Sequence, residues 1–187
     1  MKKKLFNKDG STLVLLVIVM GAVIIMGISL LNITMTQYKI RRSNSEVKRA
    51  FYMAETGLNE AFLRVYDLMN ESSDYGLIKA DEYLLSFPED ISGAALKYKS
   101  SYKQMMVNRA AGAVYSSSNP YTAVNNQVGL TFVSEKLTLK VSSKYIAESG
   151  VEKNIAADIV VFVPDYAEAK SNTVDFFLLI KIASINL

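Results

Sequence analysis

The sequence predicts an α+β protein in which a long N-terminal α-helix packs against a small antiparallel β-sheet, and three observations predict it. Residues 13–31, LVLLVIVMGAVIIMGISLL, are apolar and carry no charge. From residue 45 onward apolar side chains recur every three or four positions, the spacing of one helix face. Toward the C-terminus two stretches alternate apolar and polar residues on either side of a glycine turn, the period of a half-buried hairpin.

The first element is the apolar run. Nineteen residues at ~1.5 Å rise span about 28 Å, close to the ~30 Å hydrocarbon core of a bilayer. The uncharged stretch is longer still, from Gly10 to Tyr38. A backbone in lipid must satisfy its own hydrogen bonds, so the run is expected to be one helix. Gly21 and Gly27 interrupt the large side chains without adding charge. The competing reading is a buried helix of a soluble protein; so long an apolar run fits a bilayer better than a globular core.

The chain has 187 residues, room for a membrane helix and one modest domain. It has no cysteine and no histidine, so there is no disulfide staple and no thiolate or imidazole metal site. Serine–histidine and cysteine–histidine catalysis are excluded. The net charge of +3 resides in the first ten residues, which hold four lysines against Asp9 and leave a neutral remainder. A neutral body is a poor match to the basic footprint of a nucleic-acid binder.

Ahead of the apolar run lies the short basic segment KKKLFNKDG. A secretory signal places its small-residue cleavage site after the apolar region, but NITMTQYK follows Leu31 and offers no such site. The small residue is instead Gly10, before the helix. This arrangement resembles the class III signal of type IV pilins and pseudopilins. The resemblance implies cleavage between Gly10 and Ser11 by a prepilin peptidase, N-methylation of Ser11, and retention of the apolar helix for assembly. The alternative is that Gly10 is a flexible junction before a signal anchor. Two departures stand out: Ser11 where the family usually has Phe or Met, and Leu15 where it usually has a glutamate. A charge inside lipid is costly unless paired, and in major pilins that glutamate is thought to pair with a neighbour's N-terminal amine. Some PilX-type and general-secretion K-type minor subunits also lack it, which makes a tip or priming position an expectation. The lysines of residues 2–8 modestly favour a cytoplasmic N-terminus over Lys39, Arg41 and Arg42 beyond the helix.

Val47, Phe51, Ala54, Leu58, Ala61 or Phe62, Val65 and Leu68 make the amphipathic stripe, with Glu46, Lys48, Arg49, Glu55, Glu60 and Arg64 mostly off it. No proline or glycine falls between Asn32 and Asn44, so one helix is expected from about Thr12 to Asn70, with a stop at residues 72–76. The stretch RAFYMAETGLNEAF contains Ala50, Ala54, Glu55, Gly57 and Leu58 in an A-x-x-A-E-x-G-L pattern that resembles PilX-type minor pilins. Leader and motif together cover one third of the chain. Ala54 and Gly57 are small enough for close approach by another helix or by the sheet. Glu55 reads as a solvated charge or as a contact to a neighbouring subunit. Arg41, Arg42, Lys48 and Arg49 read as anchors near lipid headgroups, with DNA the less favoured partner.

In the head, residues 77–87 are expected as a short helix ended by Pro88, and residues 94–109 have helical character with a Tyr98, Tyr102, Met105 or Met106 spacing. SSSNP marks a loop, and residues 127–133 are a candidate strand. Leu137, Leu139, Val141 and Tyr145 alternate in one hairpin arm and Ile155, Ala157, Ile159, Val161 and Val163 in the other, around AESG. The apolar tail TVDFFLLIKIASINL is too short and interrupted for a second span and reads as a final strand, the alternative being an exposed apolar edge that serves as a docking surface.

On this reading residues 1–10 are the prepilin leader, 11–38 the transmembrane and assembly helix with Leu13, Leu15, Gly21 and Gly27, 39–71 its amphipathic continuation, and 72–187 the head. No arrangement points to catalysis, a metal or a cofactor; Asp74, Asp81, Glu82, Glu89 and Asp90 lack the calcium-loop pattern and read as solvated surface. The expected function is structural: a minor subunit of a type IV pilus or pseudopilus. Its expected partners are other pilins in a helix bundle, the prepilin peptidase, the inner-membrane assembly platform and membrane lipid. Its expected place is the cell membrane with the head outside, then a surface filament. The alternative is an uncleaved single-pass anchored protein whose outer domain binds a ligand or senses the envelope.

Overall fold

The computed structural model describes residues 8–113, 121–125 and 129–186. Its elements, in chain order, are α1 (Lys8–Ser86), α2 (Ile91–Ala113), β1 (Tyr121–Asn125), β2 (Lys136–Ile146), β3 (Glu152–Phe162), α3 (Tyr166–Lys170) and β4 (Ile180–Asn186). The strands form one sheet in the order β1-β2-β3-β4, antiparallel at every pairing. The fold is α+β, a long N-terminal helix with a small antiparallel sheet, as expected.

The chain divides into two compact units, Met1–Ser45 and Glu46–Leu187. In the first, every side chain described in residues 12–45 is exposed. The helix containing this segment is long and apolar enough to cross a membrane.

In the second unit the helix face is covered. Ala50, Ala54, Leu58, Ala61, Val65, Leu68 and Met69 of α1 share a core with Leu137, Leu139, Val141 and Tyr145 of β2, Ile155, Ala157, Ile159 and Val161 of β3, and Ile180 of β4. The helix period and the strand period thus present their apolar sides to each other. Each Leu- or Ile-sized side chain so buried contributes about 1.5–3 kcal/mol. The expected face is rotated slightly at its start: Val47 is exposed and Ala50 takes its place. A small side chain there leaves room for close approach, which Val47 would obstruct.

The helix does not stop at residues 72–76. Ser72, Ser73 and Gly76 are buried and α1 continues to Ser86, so residues 77–87 are its last turns and not a separate helix. The reason lies in α2. The Ser73 hydroxyl is 2.9 Å from the Tyr98 hydroxyl, and a Cβ on Gly76 would come within 2.8 Å of the Tyr98 ring. Small residues that read locally as breakers are the surface on which Tyr98 packs. Pro88 then follows the helix end, as the sequence predicts.

α2 begins at an aspartate cap. Asp90 accepts from the Gly93 N–H at 2.8 Å and from the Tyr83 hydroxyl at 2.7 Å. Tyr98, Tyr102 and Met106 are fully buried along one face of α2, matching the expected spacing. Tyr98 also joins a smaller cluster with Ala80, Ala94, Tyr166 and Ala169, which α3 closes. Burial pushes the Tyr98 phenol up to about 12, against the opposing effect of its Ser73 hydrogen bond.

The hairpin follows the sequence reading. Leu137 pairs with Val161, Leu139 with Ile159 and Val141 with Ala157. The AESG turn closes with Ala147 and Val151 bonded at 2.8 Å, and Gly150 adopts φ +83°, which favours glycine. The strand expected at residues 127–133 is displaced. Its first residues lie outside those described, Val133 makes only an isolated bridge to Lys136, and the neighbour of β2 is β1. Val133 is committed to a tight turn through Ser134 and Glu135, both with positive φ, so it cannot extend a strand. The SSSNP loop also lies outside the described residues. The tail does end in a strand, β4, as expected. Its preceding turn is held to α1 by Phe177 stacked on Tyr66 at 4.4 Å.

Candidate functional site

The candidate site is the uncovered part of α1. Gly10 and Ser11 lie in its first turns, helical in backbone. Leu13 is 69% exposed and Leu15 63%, and the large apolar residues that follow are comparably bare. A helix apolar on all sides and left bare by the described residues calls for an apolar surrounding.

Gly21 and Gly27 stand six positions apart, roughly 240° around a helix of 3.6 residues per turn, so they do not share a face. A Cβ at either would meet nothing within 4 Å. Their smallness is therefore unused within the first unit.

Three hydroxyls of this segment are satisfied within the helix. Ser29 donates to the Ile25 carbonyl, Thr34 to Leu30 and Thr36 to Asn32, each at 2.8 Å. Each bond runs one turn back along the helix, so none of these hydroxyls needs a partner from outside. The sequence reading missed this. The signal was the presence of Ser and Thr inside a helix, where the carbonyl four residues earlier lies in reach.

The residues of the A-x-x-A-E-x-G-L pattern separate by side. Ala50, Ala54, Gly57 and Leu58 are buried, and Glu55 is exposed. Ala54 belongs to the core that the sheet shares with Met106 and Ala110 of α2, so its small side chain serves packing inside its own chain. Arg41, Arg42, Lys48 and Arg49 are exposed. Among the described residues no group of three or more Asp or Glu side chains is arranged to hold a metal ion.

No family model matches the sequence, nor does any curated protein or any solved structure. The class is therefore defined by architecture: an α+β chain whose N-terminal helix is long and apolar enough to cross a membrane and, in residues 46–86, lies on a small antiparallel sheet.

Proposed function

We propose that this chain is a structural minor subunit of a type IV pilus or related pseudopilus. The observation that carries the reading is the contrast along α1: bare apolar side chains over residues 13–31, then a small-residue face buried under a sheet. The resemblance of the leader and of residues 50–58 to PilX-type minor pilins supports it.

In this reading the membrane holds subunits as a pool. The prepilin peptidase cuts between Gly10 and Ser11, Ser11 is N-methylated, and the helices leave lipid to pack in a filament core with other pilins on the inner-membrane assembly platform. The transfer exchanges one apolar surrounding for another, and the internally bonded Ser29, Thr34 and Thr36 lose no partner in it. Gly21 and Gly27 give neighbouring helices room to approach. Leu15 in place of a glutamate favours a tip or priming position, and exposed Glu55 offers a charge to a neighbouring head.

Mass spectrometry of the N-terminus, with and without prepilin peptidase, tests the proposal. The expected product starts at methylated Ser11, and Gly10→Val abolishes it. Ser11, where the family usually has Phe or Met, is the observation that favours the second reading, an uncleaved anchor with an outer binding or sensor domain. An intact leader on the wild-type chain beside an active peptidase would establish that reading instead.

A further inference from the structure

We infer that a groove between α1 and α2, within the Glu46–Leu187 unit, binds a neutral oligosaccharide. Two open hollows make it, of about 580 Å³ and about 400 Å³, and Asn108 and Arg109 line both. Arg64, Asp67 and Glu71 complete the polar lining of the first, and Tyr75, Gln104 and Met105 line the second. The volumes fall in the range of small-molecule sites.

The charge of the lining selects the ligand class. Two arginines face two carboxylates, so the described lining is neutral overall. Both guanidiniums already have anionic partners: Arg64 bonds Glu60 at 2.6 Å, and Arg109 bonds Glu71 across the groove. An anionic ligand would have to compete with those pairs, and a cationic one with the guanidiniums. A neutral polyol does neither. Each sugar hydroxyl both donates and accepts, and the lining carries both kinds of group: amides at Asn108 and Gln104, the carboxylate of Asp67, and the N–H groups and lone pairs that Arg109 and Glu71 retain beyond their ion pair. Tyr75 and Met105 supply the carbon surface that the C–H face of a pyranose needs.

Glu71 and Arg109 lie 38 residues apart, and their ion pair links α1 to α2 beside the groove. A peptide fits less well, because helix backbones have their N–H and C=O groups occupied and provide no ladder for an extended strand. The groove is independent of whether residues 1–10 are removed.

The test uses the full chain in lipid nanodiscs free of glycolipid and sugar detergent. The probes are chitotetraose, cellotetraose and maltotetraose, read by saturation-transfer NMR and calorimetry. Saturable binding of at least one is expected, weakened tenfold or more by Tyr75→Ala or by Asn108→Asp, and unchanged by Leu63→Ala on an exposed α1 position. Thermal melting of each variant separates lost binding from lost folding. Three results would each overturn the inference: no probe binds; binding is indifferent to both groove variants; or dextran sulfate or a neutral Gly-Ser-Asn peptide displaces the sugar more tightly than it binds.

Discussion

Over residues 12–45 α1 covers none of its side chains, and over residues 46–86 the same helix buries Ala50, Ala54, Ala61 and Val65 completely. The backbone is one uninterrupted helix in both parts. The difference lies in how apolar residues are distributed around the axis. In the first part they occupy every side, so no single protein surface could cover them. In the second they occupy one stripe, and the sheet covers that stripe. A uniformly apolar helix is suited to a surrounding that is itself uniform; a striped one is suited to a protein partner.

Truncations break this comparison most directly. Leu139→Ala leaves a cavity opposite the stripe and is expected to cost about 2–5 kcal/mol, read as a lowered melting temperature of the head. Leu16→Ala is the same chemical change on the bare segment and should leave that melting temperature unchanged; an equal loss would mean the two parts share one core. Added charge comes next. Ile24→Lys is expected to cost about 2.5–3.5 kcal/mol of membrane insertion, measured as the fraction of chain that resists carbonate extraction. Leu63→Lys, at a position 54% exposed on the striped part, should leave that fraction as it is.

Glycines sharpen the contrast at smaller cost. Gly76→Ala puts a Cβ 2.8 Å from the Tyr98 ring and 3.1 Å from the Tyr98 carbonyl oxygen, and is expected to cost about 1–3 kcal/mol by denaturant melts. Gly21→Ala, with open space around it, should cost the head nothing. The smallest effect is confined to the second unit. The Gly93 N–H, then the Tyr83 hydroxyl, hold Asp90 below the usual carboxylate range. Its contribution is full above the unfolded pKa and disappears as pH falls through the lower folded value. The melting temperature of wild type minus that of Asp90→Asn should therefore shrink on acidification; a constant difference would assign the cap to shape alone.

The helix and the hairpin were legible because their patterns are local. The apolar run, the stripe and the alternation of Leu137, Leu139 and Val141 each repeat within one element. The end of α1 was not legible, because Ser73 and Gly76 obey a contact with Tyr98, and Ser72 one with Met106, all twenty or more residues away. Local breaker chemistry lost to packing there. The same limit hid α3, a five-residue helix capped by Asp165, and the partner strand β1. The motif around Ala54 was visible as a string, but that Ala50 and Ala54 serve the chain's own core required the fold. The α1–α2 groove was invisible for a related reason: Glu71 and Tyr75 meet Gln104 and Arg109 only once two helices are side by side.

Ala50 and Ile180 belong to a single core, although most of the head's sequence separates them. Contacts so distant along the chain form late and slowly. While the polypeptide is being synthesised, the stripe on α1 has nothing to cover it until β2, β3 and finally β4 have left the ribosome. Throughout elongation a sticky face about five to six turns long, from Ala50 to Met69, is therefore open to chaperones, or to the stripe of a second nascent chain.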